Sequence, residues 1–425
     1  MKLSAWRVAL IIVASALASA LAIALFAGHE KEIKRTFAHD YDVSQPQFVR
    51  SMSVLLGPPL VHGNRVETLL NGDEIFPAML AAIRSARSTI TFETYIYWSG
   101  TIGKEFADAL SERARSGVRV HILLDWVGSQ RMDKALLDEM GGAGVEIKKY
   151  HPLRWYTIDR LNNRTHRKLL VVDGKVGFTG GVGIADEWSG HAQDADHWRD
   201  THYLIEGPAV AQMQAAFTDN WTKVSGVVLQ GESYFPKLEA VGVRYAQMFK
   251  SSMDGGAESM HLMYLLSIAA ASQSIDLEMA YFVPDQLARE ALVQALKRGV
   301  KVRVIMPGRI TDAASVRYAS RATWGPMLEA GAQLYEYQPT MYHCKVLVVD
   351  GLWVSVGSTN FDNRSFRLND EANLNVYDRE LARRQISDFE NDLKRSRRIT
   401  YQEWLDRPLS EKAWEQLLSL FGREF

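Results

Sequence analysis

Only one cysteine, Cys344, occurs in the sequence, which excludes an internal disulfide and a cysteine-rich zinc site. Net charge is nearly absent as well. The 49 basic and 50 acidic residues leave −1, so no global electrostatic pull draws the chain toward nucleic acid, although a local basic groove is compatible with that balance. The signature of disorder is missing too, because 47% of residues are hydrophobic and 10% aromatic. At 425 residues the chain exceeds one ordinary core and predicts two domains of roughly 150–200 residues each.

What is present begins at the N-terminus. Val8 to Ala27 is an uncharged run of 20 residues rich in Ala, Leu, Ile and Val. At about 1.5 Å per residue it matches a hydrocarbon core of about 30 Å, and it has no polar face, so it is expected to be a single membrane anchor. Lys2 and Arg7 before it, and Lys31, Lys34 and Arg35 after it, leave its orientation open. The competing reading is a cleaved signal peptide, since Ala18-Ser19-Ala20 has the small-x-small form of a cleavage site.

Beyond about Ser51 the chain repeats itself. Ala82 to Tyr95 and Ser267 to Tyr281 each read as a helix end running into an apolar strand with one acid near its end, Glu93 or Glu278. A helical pattern follows, stopped by Gly117 or Gly299 and succeeded by an apolar strand, Ile122–Leu124 or Val304–Met306. A second helix and strand come next, around Gly144 to Ile147 and Gly331 to Leu334. This alternation predicts two similar α/β/α lobes related by a pseudo-twofold axis, with helices on both faces of a sheet. The expected division is an anchor and linker over 1–51, a first lobe over 52–235 and a second lobe over 236–425, the boundary falling among Gly226, Gly231, Pro236, Gly255 and Gly256. Ligand sites favour such an interface.

The repeat culminates in a doubled motif. His166, Lys168 and Asp173 have the same spacing as His343, Lys345 and Asp350, and seven residues past each Asp stands a glycine pair-start, Gly180-Gly181 or Gly357-Ser358. On a strand, residues two apart share a face, so each His and Lys project together. One His-x-Lys is usually surface decoration; two matched copies inside a repeat point to one shared site. Phosphodiester transfer needs a nucleophile, a proton donor for the leaving alkoxide and positive charge around the phosphate. The two histidines fill the first two roles, Lys168 and Lys345 the third, with Asn360, Ser358 and the backbone at Gly181 as hydrogen-bond donors, and Glu93 and Glu278 as further substrate-binding candidates. Asp173 and Asp350 complete the candidate catalytic set by spacing, although five residues past Lys they fit organisation of the strand-to-turn better than substrate contact. A carboxylate behind each His would fix its tautomer; the candidates are Asp200 and Glu371, each following its own motif at a comparable distance.

These residues resemble the phospholipase D superfamily, from about Asn71 to Pro408, and more narrowly bacterial cardiolipin synthase. The narrower likeness rests on 161–168, Trp198 to His202, Tyr281 to Asp285, Trp324 to Gly331, Tyr335 to Pro339 and Gly357 to Asn369. The resemblance implies a phosphohistidine intermediate, no metal or other cofactor, and transfer of a phosphatidyl group to a second phospholipid, typically phosphatidylglycerol. It implies His166 as nucleophile and His343 as general acid and then base, and location in the bacterial inner membrane. The family usually has Asn where Gly183 stands, so the first motif lacks an amide that the second retains as Asn360. One predicted span also matches neither the relatives without an anchor nor those with two.

Two further stretches bear on a lipid substrate. Residues 151–161 mix aromatic, apolar and basic side chains just before the first motif, as expected of a headgroup-region segment or of a packed connector. Trp414, Leu417, Leu418, Leu420 and Phe421 form an amphipathic stripe read as packing rather than membrane contact. The alternatives to phosphatidyl transfer are a hydrolytic phospholipase D and, disfavoured by the balanced charge and the anchor, a phosphodiesterase on nucleic acid; no nucleic-acid partner is expected.

Overall fold

In the computed structural model, residues 33–152, 163–252 and 259–419 are described, with 6–7, 13–16 and 19. Residues 35–425 form one compact unit. The expected anchor falls largely outside the described residues, as do 153–161, Gly255, Gly256, Leu420 and Phe421. Among the described residues no helix is long and apolar enough to cross a membrane.

Seventeen strands are described. The first half holds β1 (Val61–Leu70), β2 (Thr89–Thr94), β3 (Arg119–Asp125), β4 (Glu146–Tyr150), β5 (Leu169–Val172), β6 (Val176–Gly180) and β7 (Thr201–Glu206). After β8 (Arg244–Lys250) the second half supplies β9 (Ser274–Met279), β10 (Phe282–Val283), β11 (Lys301–Pro307), β12 (Gln333–Tyr337), β13 (Lys345–Val349), β14 (Trp353–Gly357), β15 (Phe361–Asp362), β16 (Ala372–Tyr377) and β17 (Ser396–Ile399). All but β10 and β15 join one sheet in the order 17-12-11-9-13-14-16-8-1-7-6-5-2-3-4.

Each half keeps the predicted crossovers only where helices intervene: β2, β3 and β4 are parallel, as are β9, β11 and β12. The helices Thr101–Arg115 and Gln286–Lys297 make these crossovers, and Gly117 and Gly299 end them at φ +91° and +92°, a conformation that glycine adopts without strain. The motif strands instead run antiparallel: β5 lies between β2 and β6, and β13 between β9 and β14. The region read as a boundary contains a pairing strand, because β8 bonds to β1 on one side and β16 on the other.

Alternation along the motif strands builds two cores. Leu170 and Val172 face the helices of the first half, with Phe92, Ile122 and Phe106. Leu169 and Val171 face the other way and pack in a single cluster with Val346, Val348, Val354 and Leu374 of the second half. The halves are thus joined by a common apolar core, directly beneath the residues that follow each histidine.

Asp173 and Asp350 lie at the far ends of β5 and β13, and their inclusion in the catalytic set is corrected. Each adopts φ +52° in a hairpin turn, a left-handed conformation tolerated by Asp. The Asp173 carboxylate accepts from the backbone N–H groups of Arg87, Ser88 and Thr89 at 2.7–2.9 Å; Asp350 does the same for Ser272, Gln273 and Ser274 at 2.8–2.9 Å. They tie the motif hairpin to the start of the neighbouring strand. The C-terminal stripe is also corrected: in the helix Leu409–Ser419, Trp414 is 59% and Leu417 47% exposed, so neither is packed as expected.

Removing the turn carboxylate while keeping the backbone strained should cost stability rather than chemistry. Asp173→Ala is expected to lower unfolding free energy by about 1–3 kcal/mol in urea denaturation. Full stability with lost turnover would contradict this assignment.

Candidate active site

The site is built where the backbones of the two halves cross. His166 N–H donates to the Asp370 carbonyl at 2.9 Å, and His343 N–H donates to the Arg199 carbonyl at 2.8 Å. Each segment bearing a motif histidine therefore pairs with the segment bearing the carboxylate of the other half. Side chains follow the backbone. His166 Nδ1 lies 3.0 and 3.1 Å from the Glu371 carboxylate oxygens, and His343 Nδ1 lies 2.7 Å from Asp200 Oδ2. Asp200 and Glu371 were expected to orient the histidines, and each lies behind the histidine of the opposite motif.

Both carboxylates are fully buried, yet their imidazole and lysine neighbours hold both below the usual carboxylate range, so they are acceptors only. An ionised acceptor at Nδ1 requires Nδ1–H there, which leaves the Nε2 lone pair of each neutral ring for chemistry. The two carboxylates are supported differently. Ser358 Oγ donates to Glu371 Oε2 at 2.5 Å. At the equivalent position stands Gly181, where a Cβ would come within 2.2 Å of Asp200 Oδ1; the glycine lets the shorter carboxylate reach across. Asp200 is held by the Trp188 indole N–H at 2.9 Å and by its own N–H donating to Asn71 Oδ1 at 3.2 Å.

His166, His343, Lys168, Tyr95, Tyr281 and Asn360 border one cavity of about 120 Å³. Lys345 packs against His343: its Nζ is 3.2 Å from His343 Nε2 and donates to the His343 carbonyl at 2.8 Å, matching Lys168 on the His166 carbonyl at 2.9 Å. Burial, then the charges of Lys168 and Lys345, push the His166 imidazole down to about 4 against the opposing pull of Glu371. His343 is lowered by burial and Lys345, and Lys168 is pushed down to about 7 by burial and the Lys345 charge. The His166 imidazole is thus neutral near pH 7, and His343 is biased in the same direction.

Gly181 and Ser358 do not border this cavity, so their expected direct contact with substrate is replaced by support of the carboxylates. Glu93 and Glu278 are corrected likewise. Glu93 is fully buried, accepting from Thr165 Oγ1 and from Asn220 Nδ2, the latter at 2.8 Å. Glu278 accepts from Tyr342 O–H at 2.9 Å, and burial followed by Asp392 pushes it up to about 8. Each glutamate holds the residue preceding a motif histidine and stands behind the site.

Several residues bordering the cavity escaped the sequence reading, Trp188 among them. A Cβ at Gly183 would lie 3.2 Å from the Trp188 ring and 2.9 Å from Ile96 Cβ, so the space that Asn360 fills in the second half is taken in the first by Trp188. The indole borders the cavity, stands edge-on to His343 with centroids 5.2 Å apart, and bonds Asp200. The signal was present in the sequence as the missing Asn at position 183, without any indication of what replaced it.

The protein family described as "Cardiolipin synthase, PLD-like domain" matches residues 79–221 and 264–393, one segment per half. The chain belongs to the cardiolipin synthase family of phospholipase D-like phosphatidyltransferases. It is 35% identical over 358 residues to cardiolipin synthase 2 of Bacillus anthracis, covering 84% of this chain and 70% of that one. It is 36% identical over 349 residues to the major cardiolipin synthase of Bacillus subtilis, covering 81% and 72%. Among solved structures it resembles in fold the phosphatidylserine synthase of Haemophilus influenzae, with a TM-score of 0.66 at 14% identity, over 90% of this chain and 100% of that one.

Because Trp188 fills that space, Gly183→Asn is expected to displace the indole from Asp200 and reduce turnover at least about tenfold. Steady-state kinetics on folded protein checks this; unchanged or higher turnover would contradict the packing account.

Proposed function

We propose that this enzyme makes cardiolipin by moving a phosphatidyl group from one phosphatidylglycerol to another at a membrane surface. The observation carrying this reading is that both motif histidines, each with Nδ1 engaged by a buried carboxylate, border one cavity. The role of each residue follows from that geometry.

In the first half-reaction His166 Nε2 attacks phosphorus, the P–O bond to the headgroup glycerol breaks, and His343 Nε2–H protonates the leaving oxygen. His166 is assigned the nucleophile's role by the family resemblance, and its imidazole, pushed down to about 4, is unprotonated across the neutral range as that role requires. Glu371 stabilises the positive charge that develops on it. The proton on His343 enters with the anionic phosphodiester, whose charge offsets that of Lys168 and Lys345. In the second half-reaction His343 takes the proton of the acceptor hydroxyl, that oxygen attacks phosphorus, and the P–N bond to His166 breaks. The products are cardiolipin and free glycerol, and both histidines return to their starting state.

Lys168 and Lys345 neutralise the phosphate oxygens throughout. Hydrolysis would differ only in the acceptor of the second half-reaction, and the buried histidines, 8% and 6% exposed, favour an alcohol delivered with the substrate over bulk water.

Lipid mass spectrometry of cells expressing the protein is expected to show cardiolipin rising with wild type, and the His343→Ala product falling about 10²–10⁴-fold. Cardiolipin at wild-type levels from that variant would overturn the proposal. An ammonium is charged below its pKa, so kcat/KM should decline as pH rises through about 7, where Lys168 loses its proton. A profile flat from pH 6 to 9 would contradict the role given to Lys168.

A further inference from the structure

The cavity contains more hydrogen-bond acceptors than a phosphate can use. Phosphodiester oxygens only accept, and the Lys168 ammonium, with Nε2–H of His343 once that ring is protonated, supplies donors toward them. Yet the wall formed by β15, the turn after it and the loop before the helix Ala314–Thr323 presents Asp362, Asn369 and Asp312.

Asn369 gives the most direct sign of what this wall meets. Its Nδ2 lies 3.3 Å from Glu371 Oε1, an acceptor-only oxygen, which fixes the amide so that Oδ1 points away from that carboxylate. That Oδ1 is buried and has no hydrogen-bond partner. A buried acceptor without a partner costs free energy unless a ligand donor meets it. Asp362 is 2% exposed and accepts from Ser365 N–H at 2.7 Å, while Asp312 accepts from the Tyr281 hydroxyl at 2.6 Å. Carboxylates accept more than one hydrogen bond each, so both keep capacity toward the cavity.

The acyl chains and phosphate of a phospholipid bring no donors. A headgroup with free hydroxyls does. Arg164 and Arg364 border the same cavity and disfavour a cationic headgroup, so an uncharged polyol fits the mixed lining better than an amino alcohol. Resting on the transfer reaction proposed above, we infer that Asp312, Asp362 and Asn369 form a polyol-binding wall that recognises the hydroxyls of a glycerol headgroup. Microscopic reversibility places the leaving glycerol of the first half-reaction and the attacking glycerol hydroxyl of the second in the same place. One wall therefore sets specificity for both lipids. These are specificity residues: they touch the headgroup, and the histidines carry the bond changes.

The test is competition between soluble acceptors for the phosphatidyl group of a phosphatidylglycerol donor in mixed micelles, using the full chain. Glycerol, ethanol and ethanolamine are offered to wild type, Asp312→Ala and Asp362→Asn. Asp312 is on an exposed loop, and Asn at 362 retains an acceptor for Ser365, so a folded protein is expected in at least one case. The expected result is a drop of about tenfold in the glycerol-to-ethanol product ratio of each folded variant, read by mass spectrometry. Because a structural defect would lower both products together, a ratio equal to that of wild type overturns the inference. A selective loss of ethanolamine transfer overturns it as well, since that marks a site for charge. Failure of the underlying reaction looks different: wild type would then transfer to no alcohol at all.

Discussion

The crossed imidazole–carboxylate pairs are the constraint on which the rest of the structure depends. Glu371 belongs to the second half and fixes His166 of the first; Asp200 belongs to the first and fixes His343 of the second. Neither half therefore holds a complete active site, and the apolar core shared by β5, β13, β14 and β16 is what keeps the complementary parts in register. The same crossing appears in the backbone, where each histidine N–H is spent on the other half's carbonyl. Tautomer, position and burial of both rings are thus set by one contact made twice.

The two copies are equivalent in topology and different in detail. At one carboxylate a serine hydroxyl reaches in; at the other a glycine makes room and an indole supplies the hydrogen bond. Burial acts on both histidines against their carboxylates and lowers both imidazoles, which suits a site whose anionic substrate supplies the countercharge for a proton. In the proposed reaction this scaffold carries two unlike chemical roles, attack by one ring and proton transfer by the other.

Much of this was legible in the chain. The repeat predicted the lobes, and Gly117 and Gly299 marked equivalent helix ends because only the left-handed conformation ends a helix so abruptly. The His and Lys spacing identified the pairs that meet. The missing parts are those that depend on contacts across the repeat. Spacing named Asp200 and Glu371 without saying which histidine each would serve, because sequence distance is blind to a pairing between halves. Glu93 and Glu278 looked like site residues as acids on apolar strands, whereas they hold Thr165 and Tyr342 from behind. Trp188 had no spacing rule to reveal it, since it occupies volume left by a side chain that is absent. The stretch from Ser225 to Glu258 read as a boundary because Gly, Ser and Pro cluster in it, although β8 within it completes the continuous sheet.

The central claim is that two incomplete halves make one site with one nucleophile. Its most direct measurement is the intact mass and peptide map of the enzyme quenched during turnover of a slow phosphodiester substrate. The account predicts at most one covalent phosphoryl adduct per chain, on His166. Two adducts per chain, one on each motif histidine, would contradict it by showing that each half carries an independent site.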